Sequence, residues 1–173
     1  MRSPAPDDPA TATAMTLLEP EDAIATLSET ARRAGLDGKV ESRLELIQAA
    51  FAGDLVAIER ALAETSARGE APGTDAASHL VGAGGKRIRP VTVLLASACF
   101  GEPLPPAARE LAVVAELVHS ATLLHDDVID DGVERRGKAT ARRVYGNAVS
   151  VLAGDLLLTH ALERTHAALP AAL

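Results

Sequence analysis

The sequence predicts an all-α fold, and three observations carry that prediction. The 173-residue chain is 47% hydrophobic but only 2% aromatic, so its core must be built from Ala, Leu and Val, which favours helices over a sheet. Apolar stretches are punctuated by proline near their starts and by glycine past their ends. No internal repeat and no clear apolar–polar alternation argues for strands. The length suffices for one domain with a sizeable core.

Taken in order, residues 1–16 (MRSPAPDDPATATAMT) read as a disordered tail rich in Pro, Ala, Thr and Asp, and residues 17–173 as helical domain. A helix is expected over 20–34, stopped by Gly35, and a second over 39–68, with Gly53-Asp54 as the point where it could break. A short loop, 69–74, leads to a helix over 75–81. Pro90 fits the first turn of a helix over 91–100 that stops at Gly101. Residues 106–131 form the long central helix. Asn147 is suited to cap the last one, which carries Val149, Leu152, Leu156 and Leu157 on an apolar side.

Composition also excludes. A net charge of −7 argues against non-specific nucleic-acid binding. No charge-free apolar run is long enough to span a membrane, and the N-terminus lacks the basic-then-apolar pattern of a signal peptide. The single cysteine, Cys99, cannot form an internal disulfide and fits a reducing cytoplasm.

The chemistry concentrates at Leu123-Leu124-His125-Asp126-Asp127-Val128-Ile129-Asp130-Asp131. On a helix, Asp126 and Asp130 lie one turn apart on one face, about 6 Å along the axis. Carboxylates that close call for a cation, and helix C-termini disfavour negative charge. Mg²⁺ suits them, because it takes carboxylate oxygens and leaves positions for substrate phosphates. The bland alternative is a solvated helix end. Two basic elements flank the cluster. Downstream, GVERRGK carries Arg135, Arg136 and Lys138; upstream, Gly84-Gly85-Lys86-Arg87-Ile88-Arg89-Pro90 joins glycines to three cations ahead of a helix N-terminus. Ordinary surface charge would explain either loop alone; together with the aspartates they imply diphosphate chemistry.

At these residues the sequence resembles the polyprenyl synthetase family, the trans-polyprenyl diphosphate synthases. GGKRIRP matches that family's isopentenyl-diphosphate loop. Residues 113–163 look like its first aspartate-rich region, with DDxxD at Asp126, Asp127 and Asp130, RRGKAT from Arg135, and NAVSVLAGDLLL from Asn147. The resemblance covers roughly residues 40–165, in the family's order and spacing. It implies an isoprenoid-synthase-type helical bundle of medium- or long-chain type that condenses isopentenyl diphosphate with an allylic diphosphate. By position, it implies that Asp126, Asp127 and Asp130 bind Mg²⁺ on the allylic diphosphate, which Arg135 also contacts. Lys86, Arg89 and Arg136 would hold isopentenyl diphosphate, supported by His119. His119 lies two turns before Asp126 on nearly the same face, although a lone histidine there is often a core residue. Small residues at Ala121 and Thr122 would leave the hydrocarbon tunnel open, or simply let helices pack closely.

The resemblance also sets an expectation about extent. Family members are longer and carry a second aspartate-rich motif, which nothing after Asp155 supplies. The bundle is therefore expected to be incomplete on its C-terminal side. A bare apolar face would favour a homodimer or a partner chain. The alternative to an autonomous enzyme is a truncated, non-catalytic or regulatory subunit, or a diphosphate-binding fragment.

Overall fold

The computed structural model describes residues 33, 38–101 and 103–168. The tail at 1–16 and the helix expected over 20–34 lie outside the described residues, apart from Arg33, which is helical. Among the described residues from Gly38 onward, six helices follow in order: α1 (Gly38–Ser66), α2 (Gly73–Val81), α3 (Ile88–Ala98), α4 (Pro106–Ile129), the short α5 (Ala141–Tyr145) and α6 (Asn147–Ala168). Between α4 and α5 lies a two-stranded hairpin, β1 (Glu134–Arg135) paired antiparallel with β2 (Lys138–Ala139).

Among the described residues, Phe51 is the only fully buried aromatic of the core, with Tyr145 half-buried against it. Ile58 and Leu62 of α1, Leu80 of α2, Leu94 of α3, Leu117, Ala121 and Leu124 of α4, and Leu157 of α6 form one buried cluster. Central α4 packs most extensively against α6 and α3. Alanine and glycine make the α4–α6 approach close: a Cβ on Gly154 of α6 would fall on the imidazole of His125. That ring also lies 3.2 Å from the Val151 carbonyl oxygen and 3.4 Å from the Asp155 carboxylate.

Several boundaries differ from the sequence expectation. α1 runs unbroken through Gly53-Asp54, since Phe51, Leu55 and Ile58 on its inner face are held by the core. α3 begins at Ile88, because Arg87 takes a left-handed turn (φ 45°) that starts the helix before Pro90. α4 stops at Ile129; Asp130 donates its N–H to the Asp126 carbonyl at 2.8 Å, and Asp131 turns left-handed. The hairpin was not expected. Its turn residues Arg136 and Gly137 both have positive φ, the geometry that matches strand twist, but arginine is an uncommon occupant of the first position. Asn147 is helical rather than a cap, its amide oxygen accepting from Arg142 Nε at 3.1 Å. Leu152, expected on the apolar side of α6, is 63% exposed, whereas Leu157 is buried and Val149 and Leu156 are half-buried.

Candidate active site

Two neighbouring surfaces emerge from the loop before α3, from α4 and from the hairpin. The first is a cleft of about 420 Å³ lined by Gly84, Gly85, Lys86, Arg87, Arg89, Glu116, His119 and Arg136, among others. The structure therefore gathers Lys86, Arg89, His119 and Arg136 around one cavity, although they come from three separate segments. The second is the C-terminal end of α4, where Asp126 and Asp130 are exposed one turn apart. His119 and Asp126 share α4, separated by about 10 Å of helical rise.

The hairpin divides the two adjacent arginines between these surfaces. Arg135, in β1, turns back onto Asp127, donating from Nη2 at 2.8 Å and from Nε at 3.1 Å to one carboxylate oxygen. Asp127 is buried, unlike its neighbour Asp126. Hydrogen bonding to Asp127 holds the Arg135 guanidinium above its ordinary pKa against the opposing effect of burial, and the charges of Asp127, Asp126 and Asp130 add to it. Arg136, at the turn, instead lays its guanidinium over Gly85, where a Cβ would come within 2.8 Å of it. A side chain at that position would displace the end of Arg136 from its place over the loop. The hairpin base is closed by Thr140 Oγ1 donating to the Gly132 carbonyl (2.8 Å) and by an Arg142–Asp131 ion pair (2.8 Å).

The cleft floor is held by a residue the sequence reading did not assign. Arg87 is buried and pairs with Glu59 of α1 and, at 3.0 Å, with Glu116 of α4. Burial alone would push its proton affinity down; hydrogen bonds and charges from Glu59 and Glu116 outweigh this and raise it. These bonds fix the left-handed turn that carries Lys86 and Arg89. The available signal was Glu116 itself, an acid in the otherwise apolar run LAVVAELVHSATLL, which calls for a buried cationic partner. His119 is pushed below the usual imidazole range by burial and by the positive charge of Arg89, with Glu116 opposing and Arg136 and Arg135 adding. Arg136 is lowered by burial and by Arg87, again against Glu116.

Of the small residues preceding the aspartates, Ala121 is fully buried in the core, whereas Thr122 is exposed and donates its hydroxyl to the His119 carbonyl at 2.7 Å. Only Thr122 faces outward.

A metal must be judged on the donors present. Among the described residues no three His, Cys, Asp or Glu side chains converge into a preformed metal cage. Asp126 and Asp130 offer an open platform of hard carboxylate oxygens, with Asp127 behind them tied to Arg135. That donor set fits Mg²⁺, which binds through one or two carboxylates and fills its shell with water and phosphate oxygens.

Comparison with known proteins points one way. The polyprenyl synthetase family profile matches residues 72–171. The chain is 43% identical over 122 residues to heptaprenyl diphosphate synthase component 2 of Geobacillus stearothermophilus, covering 70% of this chain and 38% of that protein. The fold superimposes on a decaprenyl diphosphate synthase from Rhodobacter capsulatus with a TM-score of 0.64 at 36% identity, covering 71% of this chain and 38% of that one. A polyprenyl synthase from Caulobacter crescentus, crystallised with calcium and isoprenyl diphosphate, gives 0.63 at 35% identity over 70% of this chain and 37% of that one. The chain thus spans under two fifths of the length of these relatives. Among the described residues no helix is long and apolar enough to cross a membrane.

Proposed function

Because the chain belongs to the polyprenyl synthetase family, we propose that it provides the diphosphate-handling surfaces of a prenyltransferase joining isopentenyl diphosphate to an allylic diphosphate. The observation that carries this reading is the convergence of Lys86, Arg89, His119 and Arg136 on one cleft, two helical turns from an exposed carboxylate pair. A cleft with four basic groups besides the paired Arg87, and no exposed carboxylate, suits a metal-free diphosphate; the aspartates suit a metal-bound one. Two diphosphates side by side are what a condensation of two diphosphate esters requires.

In this reading Lys86, Arg89 and Arg136 hold the isopentenyl diphosphate. His119, kept neutral near pH 7, donates one ring N–H. Asp126 and Asp130, with Asp127 when Arg135 releases it, would hold Mg²⁺ for the allylic diphosphate. The chemistry such an ion would supply is neutralisation of charge on the leaving diphosphate. The allylic C–O bond breaks, the alkene of isopentenyl diphosphate attacks the allylic carbon, and a proton is lost to the released diphosphate. No side chain acts as nucleophile. The role of the basic groups is to position both esters and stabilise the developing charge in a water-poor site. Thr122, outward on α4, is the residue of its pair suited to line the growing chain.

The same reading includes a partner. Leu111, Val118 and Ile129 of α4 and Val151, Leu152 and Leu162 of α6 are exposed. The name of one relative, "component 2", speaks of a multi-component enzyme. A second copy or a partner chain would cover these residues, and a subunit that works only in such a complex is the second reading.

The test is a Mg²⁺-dependent assay with labelled isopentenyl diphosphate and farnesyl diphosphate, run beside Asp126→Ala/Asp127→Ala. Extended product that disappears in the variant is the expected result. Absence of product from folded protein overturns autonomous catalysis; the same assay with a co-purifying chain then tests the subunit reading.

A further inference from the structure

We propose that Glu116 is a positioning residue of the cleft, its free carboxylate oxygen serving as the acceptor that holds the Arg136 guanidinium against an incoming diphosphate. The inference rests on the reading of the cleft as a diphosphate site.

Glu116 is only 3% exposed, yet it lines the cleft. One of its oxygens accepts from Arg87 Nη1 at 3.0 Å; the other, Oε2, is buried and has no hydrogen-bond partner among the described residues. Buried carboxylate oxygens are rarely left unmatched, because the desolvation penalty is then uncompensated. Arg87 does not need this second oxygen. Glu59 already takes it through two nitrogens, Nε and Nη2.

A carboxylate in an anion-binding cleft repels the ligand, so its presence there asks for a compensating role. The cleft holds three cations that make no hydrogen bond or ion pair to the described protein: Lys86, Arg89 and Arg136. Beside burial, Arg136 feels the opposing charges of Arg87, which lowers its proton affinity, and of Glu116, which raises it. Its backbone is fixed at a hairpin turn, and its guanidinium rests on Gly85 at the cleft wall. A planar guanidinium has donors enough to bridge two anions. On diphosphate binding, the Arg136 guanidinium takes Oε2 with one edge and a phosphate oxygen with the other. Glu116 thereby relieves the repulsion between Arg87 and Arg136 and aims the second of them.

Simple electrostatics and positioning make opposite forecasts for Glu116→Gln. Removing a negative charge from the cleft would tighten anion binding; removing the acceptor that aims Arg136 would loosen it. The experiment titrates the full chain with inorganic diphosphate in EDTA, where the aspartates have no metal to bridge them to phosphate. Glu59→Gln serves as the comparison, since it weakens the Arg87 cluster without touching the cleft oxygen. The expected result is binding about tenfold or more weaker in Glu116→Gln. Binding by Glu59→Gln, which loosens the turn carrying Lys86 and Arg89, falls by less than that of Glu116→Gln, and Glu116→Asp recovers part of the loss. Unchanged or tighter binding in folded Glu116→Gln, or an equal loss in Glu59→Gln, overturns the positioning role alone. No binding by the wild-type chain overturns the diphosphate reading of the cleft, and this inference with it.

Discussion

Replacing Arg87 by methionine isolates the charge cluster beneath the cleft. Methionine keeps the Cβ and the approximate length, so strain at the left-handed φ of 45° is unchanged. What changes is that two carboxylates lose their shared cation. The Glu116 side chain is 4% exposed and that of Glu59 12%, so water can reach neither well. Breaking a buried ion cluster by removing one partner costs about 3–5 kcal/mol. Against a domain stability of about 5–15 kcal/mol, that is a large share. The thermal midpoint should fall on the order of 10 °C. Urea unfolding followed by helical circular dichroism measures the loss directly. Adding Glu59→Gln and Glu116→Gln to the same chain removes the stranded charges and should restore about 2 kcal/mol. A loss below about 1 kcal/mol for the single variant, the size of an exposed pair, would refute the argument. So would a triple variant no more stable than the single one.

Three further predictions follow from the same geometry. Asp126→Ala and Asp127→Ala should both remove Mg²⁺-dependent turnover, but only the second should cost stability, about 1–3 kcal/mol, because it strands Arg135; equal urea midpoints would contradict the different burial of the two aspartates. Gly154→Ala should destabilise by about 1–3 kcal/mol by displacing the His125 ring, and His125→Ala in the same chain should recover part of it; strictly additive losses in that cycle would show the contact to be unimportant. Burial and Arg89 depress the folded His119 pKa, so below the ordinary imidazole value of about 6.5 the unfolded chain binds more protons. The stability linked to His119 is therefore present above that pH and lost as pH falls through it, and thermal midpoints of His119→Gln should decline less steeply from pH 7 to 5 than those of wild type.

How legible this protein was in its sequence varied with the kind of interaction. Local signals served well. The all-α class followed from an Ala, Leu and Val core, and α2 and α4 were located within about two residues by their Pro and Gly flanks. Periodicity put Asp126 and Asp130 on one face, since that depends only on helical pitch. Signals that needed a distant partner served less well. Leu152 has an apolar side chain at an apparently apolar position, yet no described helix covers it. The Arg136-Gly137 turn gives a weak hairpin signal, so a polar loop was expected where paired strands stand.

By itself, the sequence determined the helical class, the family-like motifs and which residues carry charge, because these depend on composition and short-range spacing. The tertiary structure alone decided the partners. It sent adjacent Arg135 and Arg136 to two different surfaces, buried Asp127 while leaving Asp126 exposed, and separated buried Ala121 from exposed Thr122. It also made Arg87, one of three cations in GGKRIRP, the buried anchor for the other two. Adjacent residues on a helix point about 100° apart, and which direction meets solvent or a carboxylate is set by the elements packed around it.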